Sequence, residues 1–107
     1  MAATKKLLPQ AKNYALRLLS IRSRSIKEIE NKLIKKGFPR EINLQVIASF
    51  RDLGYLDDEK FALEWANYRL KNCALSPRVI EYELQKKGIE DNLVKLTLEQ
   101  IKEGFDE

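Results

Sequence analysis

Asp57 and Asp58 are the adjacent carboxylates in this 107-residue chain whose spacing would suit acid–base work or a magnesium ion. They stand directly before the apolar stripe of a helix, however, where carboxylates complement the positive helix end, and capping accounts for them better. The chain has one cysteine, Cys73, and no histidine. It therefore lacks a base to activate a thiolate, a soft-ligand set for zinc and an intramolecular disulfide. No glycine-rich phosphate loop is present either. These residue types predict a non-enzymatic protein without metal or cofactor, suited to a reducing cytoplasm.

Binding chemistry is better represented. Arg17, Arg22, Arg24, Lys27, Lys32, Lys35, Lys36 and Arg40 crowd the first half of the chain and could neutralise phosphates with little reading of sequence. Residues 1–54 carry 12 Lys/Arg against 4 Asp/Glu, a net +8, whereas residues 55–107 carry 8 against 12, a net −4. Such polarity suggests that the halves face different partners, although charged helix surfaces alone would also produce it. For the pairs Lys35/Lys36 and Lys86/Lys87, complementing the negative end of a helix dipole is the favoured competing account. Arg22 and Arg24 lie in an inter-helix connection, where a rigid scaffold commonly displays functional side chains. Phe61, Trp65 and Tyr68 could stack bases, yet their helical spacing favours a core, with the Tyr68 hydroxyl able to reach the surface. Tyr55, after a helix-ending glycine, reads as an anchor packing one unit on the next.

The elements that must position these groups are helices. Composition is 44% apolar and 34% charged with only 4 Gly and 3 Pro, which favours helix over disorder. The longest uncharged stretch, Ile42 to Phe50, falls far short of the roughly 20 apolar residues of a membrane span. The two-leucine run near the N-terminus is too short for a secretory signal, so a soluble cytoplasmic monomer is expected. Pro9 suits the first position of a first helix, with residues 1–8 frayed and Ala11, Tyr14, Ala15, Leu18 and Leu19 on its buried side. Ser25 and Glu28 form a capping box for a second helix, lined by Ile26, Ile29 and Leu33 and ended by Gly37. A third follows Pro39, with Ile42, Val46, Ile47, Phe50 and Leu53 inward, and Gly54 closes it. Asp57 or Asp58 caps a fourth, carrying Phe61, Ala62, Trp65 and Tyr68 to about Lys71, and a loop Asn72-Cys73-Ala74-Leu75 follows. Ser76 caps a fifth, with Pro77 at its start and Ile80 and Leu84 inward to Gly88. Asp91 caps a sixth, along which Leu93, Leu96 and Ile101 are apolar until Gly104.

The helices repeat as triplets. Ser25 to Gly37 recurs as Ser76 to Gly88 at an offset of 51, and Tyr14-Ala15-Leu16 and Arg22 recur as Phe61-Ala62-Leu63 and Arg69 at an offset of 47. The expected fold is all-α: two tandem three-helix repeats, helix-turn-helix-like units over residues 9–54 and 55–104, packed into one elongated body because each alone buries little.

The run Tyr14-Ala15-Leu16, Leu19, Arg22-Ser23-Arg24-Ser25, Glu28-Ile29, Lys32-Leu33 and Gly37 carries a further signal. With Leu53-Gly54-Tyr55-Leu56-Asp57-Asp58-Glu59-Lys60-Phe61-Ala62 and Ile80, Glu83-Leu84 and Lys87-Gly88-Ile89, it resembles the bacterial RecX family, regulators of the RecA recombinase, over about residues 11–101. The resemblance implies an all-helical, non-enzymatic protein of DNA repair and recombination and the SOS response. Such a protein lodges in the groove of the RecA–DNA filament, contacts protomers and single-stranded or filament DNA there, and inhibits filament growth, ATPase and coprotease activities. It also implies no small-molecule substrate, and it covers two of the family's usual three repeats. Candidate filament or DNA contacts are Arg22, Arg24, Lys27, Lys35, Lys36, Arg69, Arg78, Lys86 and Lys87. The alternatives are a basic helical DNA-binding module acting without RecA and a helical scaffold with no nucleic-acid role.

Overall fold

The computed structural model describes the backbone of residues 2–73 and 76–105 and the side chains of residues 6–72 and 76–101. The described residues form helices α1 (Ala2–Ile21), α2 (Ile26–Lys36), α3 (Arg40–Asp52), α4 (Asp58–Cys73), α5 (Pro77–Lys86) and α6 (Asp91–Phe105), with no strand among them. They divide into two compact units, Met1–Asp57 and Asp58–Glu107. In each unit the first and third helices make the most extensive contact and the second packs on both.

Local chemistry explains the ends of α2 and α5. The Ser25 hydroxyl accepts from the Glu28 amide at 3.1 Å while the Glu28 carboxylate accepts from the Ser25 amide at 3.0 Å, so two donors that α2 would leave orphaned are satisfied. Ser76 caps α5 more loosely, accepting from the Val79 amide at 3.5 Å. At the other end, Gly37 (φ 101°) and Gly88 (φ 81°) take the left-handed conformation that a Cβ disfavours. Phe38 then donates to the Leu33 carbonyl at 3.2 Å, and Ile89 donates to the Leu84 carbonyl at 3.1 Å. At these C-terminal ends the offset of 51 seen in the sequence recurs bond for bond, whereas the Glu28 half of the Ser25 box has no counterpart at Val79.

The first core gathers Ala11, Ala15, Ile29, Leu33, Ile42, Val46, Ile47, Phe50 and Leu56, with Tyr14, Leu18, Leu19, Ile26 and Phe38 packed against it. The second gathers Phe61, Ala62, Ala66, Ile80, Leu84, Ile89, Val94 and Ile101, flanked by Trp65 and Leu93.

Several boundaries and faces differ from expectation. α1 begins at Ala2 and carries Pro9 inside it. Pro9 has no N–H to donate, but Leu7 and Leu8 pack on the first core, and tertiary burial outweighs one missing backbone bond. α4 runs past Lys71 through Asn72 to Cys73, so those two residues are helical, while Ala74 and Leu75 lie outside the described residues. Asp91 occupies the first position of α6 instead of its cap, since the Val94 amide bonds to the Glu90 carbonyl, and the helix continues through Gly104.

Leu53 is 60% exposed. The turn at Gly54 lets both Tyr55 and Leu56 donate to the Phe50 carbonyl, and Leu56 enters the core in its place. Tyr55 is itself exposed and meets Phe50 edge-on at 5.5 Å. Tyr68 and Leu96 also face outward. Val94, Thr97 and Ile101, spaced by three and four, form the buried side of α6, and Leu96, expected on that side, lies off it at 53% exposure.

Candidate nucleic-acid interface

The connection from Arg22 to Ser25 holds its arginines by local bonds. Arg22 reaches the Glu28 carboxylate, with Nη2 3.3 Å from Oε2, and Arg24 Nε donates to the Leu18 carbonyl at 3.3 Å. Glu28 therefore both closes the capping box and tethers Arg22. Both arginines remain in one short segment, Arg22 exposed and Arg24 half-buried.

On α2, Lys27, Lys32, Lys35 and Lys36 are exposed. Lys27 lies 3.7 Å from Glu30, a separation and exposure at which an ion pair contributes little. Lys36 Nζ stands 5.4 Å from the Tyr14 ring centroid. The second unit repeats that contact, with Lys87 Nζ 5.8 Å from the ring centroid of Phe61, the counterpart of Tyr14.

The second unit adds a constellation that the sequence pattern did not disclose. Glu83 accepts from Arg69 Nε at 2.9 Å and Nη2 at 2.6 Å, and from the Trp65 indole N–H at 3.1 Å. Lys87 Nζ lies 4.2 Å from the Trp65 ring centroid, and the Arg69 guanidinium carbon lies 5.7 Å from it. Hydrogen bonding from Arg69 holds Glu83 below the ordinary carboxylate range; burial opposes this, while the Trp65 N–H and the charges of Arg69 and Lys87 reinforce it. The signal in the chain was a substitution between repeats: Glu83 stands where the first unit has Lys32, opposite the Arg22/Arg69 position.

Of the nine candidate cations, Arg69 and Lys87 thus take part in the internal packing of the second unit, and Arg22 and Arg24 are tied to their connection. Lys27, Lys35, Lys36, Arg78 and Lys86 lie on exposed helix faces, Lys36 beside the Tyr14 ring. Among the described residues no cluster of His, Cys, Asp or Glu could hold a metal ion, and no described helix is long and apolar enough to cross a membrane.

These features define a protein of two tandem three-helix units, each displaying exposed cations on its middle helix. Residues 11–49 match the family described as RecX, first three-helix domain, and residues 57–98 match RecX, second three-helix domain. The chain belongs to the RecX family. It is 37% identical over 92 residues to the regulatory protein RecX of Mycolicibacterium smegmatis, covering 86% of this chain and 49% of that protein. It is likewise 37% identical over 95 residues to the regulatory protein RecX of Mycobacterium tuberculosis strain H37Rv, covering 89% and 55%. The crystal structure of RecX from Lactobacillus salivarius superposes with a TM-score of 0.84 at 28% identity, covering 92% of this chain and 62% of that one. The chain spans about half the length of the curated relatives it matches. Those relatives are named as regulatory proteins rather than as enzymes.

Proposed function

We propose that this chain is a non-enzymatic cytoplasmic regulator of DNA repair and recombination that binds RecA–DNA filaments and inhibits their extension and activities. Family membership supports the partner. The observation that carries the mode of action is the division of charge, +8 over residues 1–54 and −4 over residues 55–107. A basic first unit lies along DNA phosphates while acidic surface of the second meets basic protein, and a wedge of this kind works without an active site.

The test is RecA-dependent ATP hydrolysis on single-stranded DNA titrated with the full chain. Inhibition that weakens as salt rises, and that falls when Arg22, Arg24 and Lys36 are reversed together, supports the reading. Absence of inhibition at any stoichiometry overturns it. Inhibition that is indifferent to the triple reversal and to salt overturns the charge account.

A second reading, a DNA-binding module acting without RecA, draws on the exposed cations of α2 and α5. It does not draw on α3, the third helix of a unit that resembles a helix-turn-helix, because Arg40 and Arg51 there are balanced by Glu41 and Asp52. Salt-steep DNA binding with no effect on RecA would favour this second reading.

A further inference from the structure

α5 buries Ile80 and Leu84 completely, and the residue on its opposite side is Tyr82, 56% exposed. Arg78 lies one turn before Tyr82 and Lys86 one turn after it, so the three make a single outward row of about 12 Å. Lys86 Nζ stands 5.1 Å from the Tyr82 ring centroid, and Val79 beside the row is 40% exposed. Nothing in the core of the unit calls for an aromatic ring or two cations on this side.

The charge of the row is also less diluted than the acidic second half suggests. Of the two carboxylates on α5, Glu83 is turned to Arg69 and Trp65, which leaves Glu81 as the carboxylate flanking the row. The same cations recur in the first unit. Lys27 and Lys35 occupy the positions of Arg78 and Lys86 at the offset of 51, and exposed Asn31 stands where the second unit has Tyr82. Two cations bracketing the point opposite the core are thus a repeated surface feature, and the ring is specific to α5.

We propose that the outward row of α5 binds single-stranded nucleic acid, with an unpaired base stacked on Tyr82 and neighbouring phosphates taken by Arg78 and Lys86. Aromatic faces accept any base, but only one that is not already stacked in a duplex, which selects a single strand over a double one. The contact of Lys86 with the ring is exposed, and a phosphate replaces it readily with a stronger, charge-assisted partner. This proposal rests on the nucleic-acid part of the function proposed above and extends it from the basic first unit to one cationic face of the second, whose net −4 charge lies elsewhere on that unit.

The experiment is anisotropy of a fluorescein-labelled oligo(dT) strand, and of a duplex of equal length, titrated with the full chain over a range of salt. Tyr82→Ser is expected to weaken single-strand binding about tenfold or more while leaving duplex binding unchanged, and Tyr82→Phe to keep it. Arg78→Gln and Lys86→Gln should each reduce the salt slope by about 0.7. Helicity of every variant should be unchanged by circular dichroism, because these side chains lie outside the core. Single-strand binding by Tyr82→Ser equal to that of the parent overturns the proposal. So does an equal loss on single strand and duplex, or a loss of RecA inhibition with oligo(dT) binding intact, which would make the row a protein contact. Oligo(dT) binding that depends on Tyr82 in a chain that fails to inhibit RecA leaves this proposal standing and removes the filament reading.

Discussion

Arg69 and Glu83 meet side by side across α4 and α5, with Nη2 2.6 Å from Oε2 and Nε 2.9 Å from Oε1. The pair is about one-quarter exposed on each side, and the Trp65 N–H occupies the same carboxylate. Removing the carboxylate strands three N–H donors on two side chains together. Glu83→Ala should therefore destabilise the protein by about 1–2 kcal/mol. Trp65 is the chain's one tryptophan, so urea unfolding followed by its fluorescence measures the effect, and an unchanged midpoint would show that the pair contributes nothing net.

The same carboxylate gives a pH dependence of definite sign. Its value in the folded protein lies below the ordinary 4.5. Folding thus favours the ionised form: the contribution is complete above the unfolded value and is lost as pH falls through the folded one. Melting curves from pH 7 to pH 3 should show stability falling below about pH 4.5, and Glu83→Gln should flatten that acid limb. A limb of equal steepness in the variant would assign the acid loss to other carboxylates.

The two capped helices should respond differently to loss of their serines. Ser25 is fully buried and joined to Glu28 by two bonds near 3 Å, whereas Ser76 is exposed with one bond at 3.5 Å. Ser25→Ala is expected to cost about 1–2 kcal/mol and Ser76→Ala about 0.5 kcal/mol. Denaturant midpoints of the two variants, measured side by side, check the order.

Gly37 has φ 101° with open space around the position a Cβ would occupy. The cost of Gly37→Ala is consequently backbone strain alone, about 1–2 kcal/mol. Gly37→Asn, which tolerates the left-handed region better, should recover part of it. Thermal melting of the two variants distinguishes this from a steric clash, which would make asparagine the worse of the two.

Legibility in the sequence followed the range of the interaction. The Ser25 box, the Gly37 and Gly88 ends and the inward positions Ile29, Leu33, Ile42, Val46, Phe50, Ile80 and Leu84 depend on residues within one or two helical turns, and all stand as their spacing requires. Positions near helix ends were less legible. Leu53 fits the stripe of α3 by spacing, yet the reversal at Gly54 delivers Leu56 to the core.

The amino-acid pattern by itself determined an all-helical chain of two similar triplets and the family to which it belongs, because periodicity, caps and repeats are local and one-dimensional. Tertiary structure decided which cations are occupied and which are displayed. Arg69 and Lys87 look like Lys35 and Lys86 in a sequence, but Glu83 and Trp65 approach them only once α4 and α5 pack. Hydrogen bonds and ring contacts between helices act over a few ångströms, and only the folded chain brings residues fourteen or more positions apart within that distance.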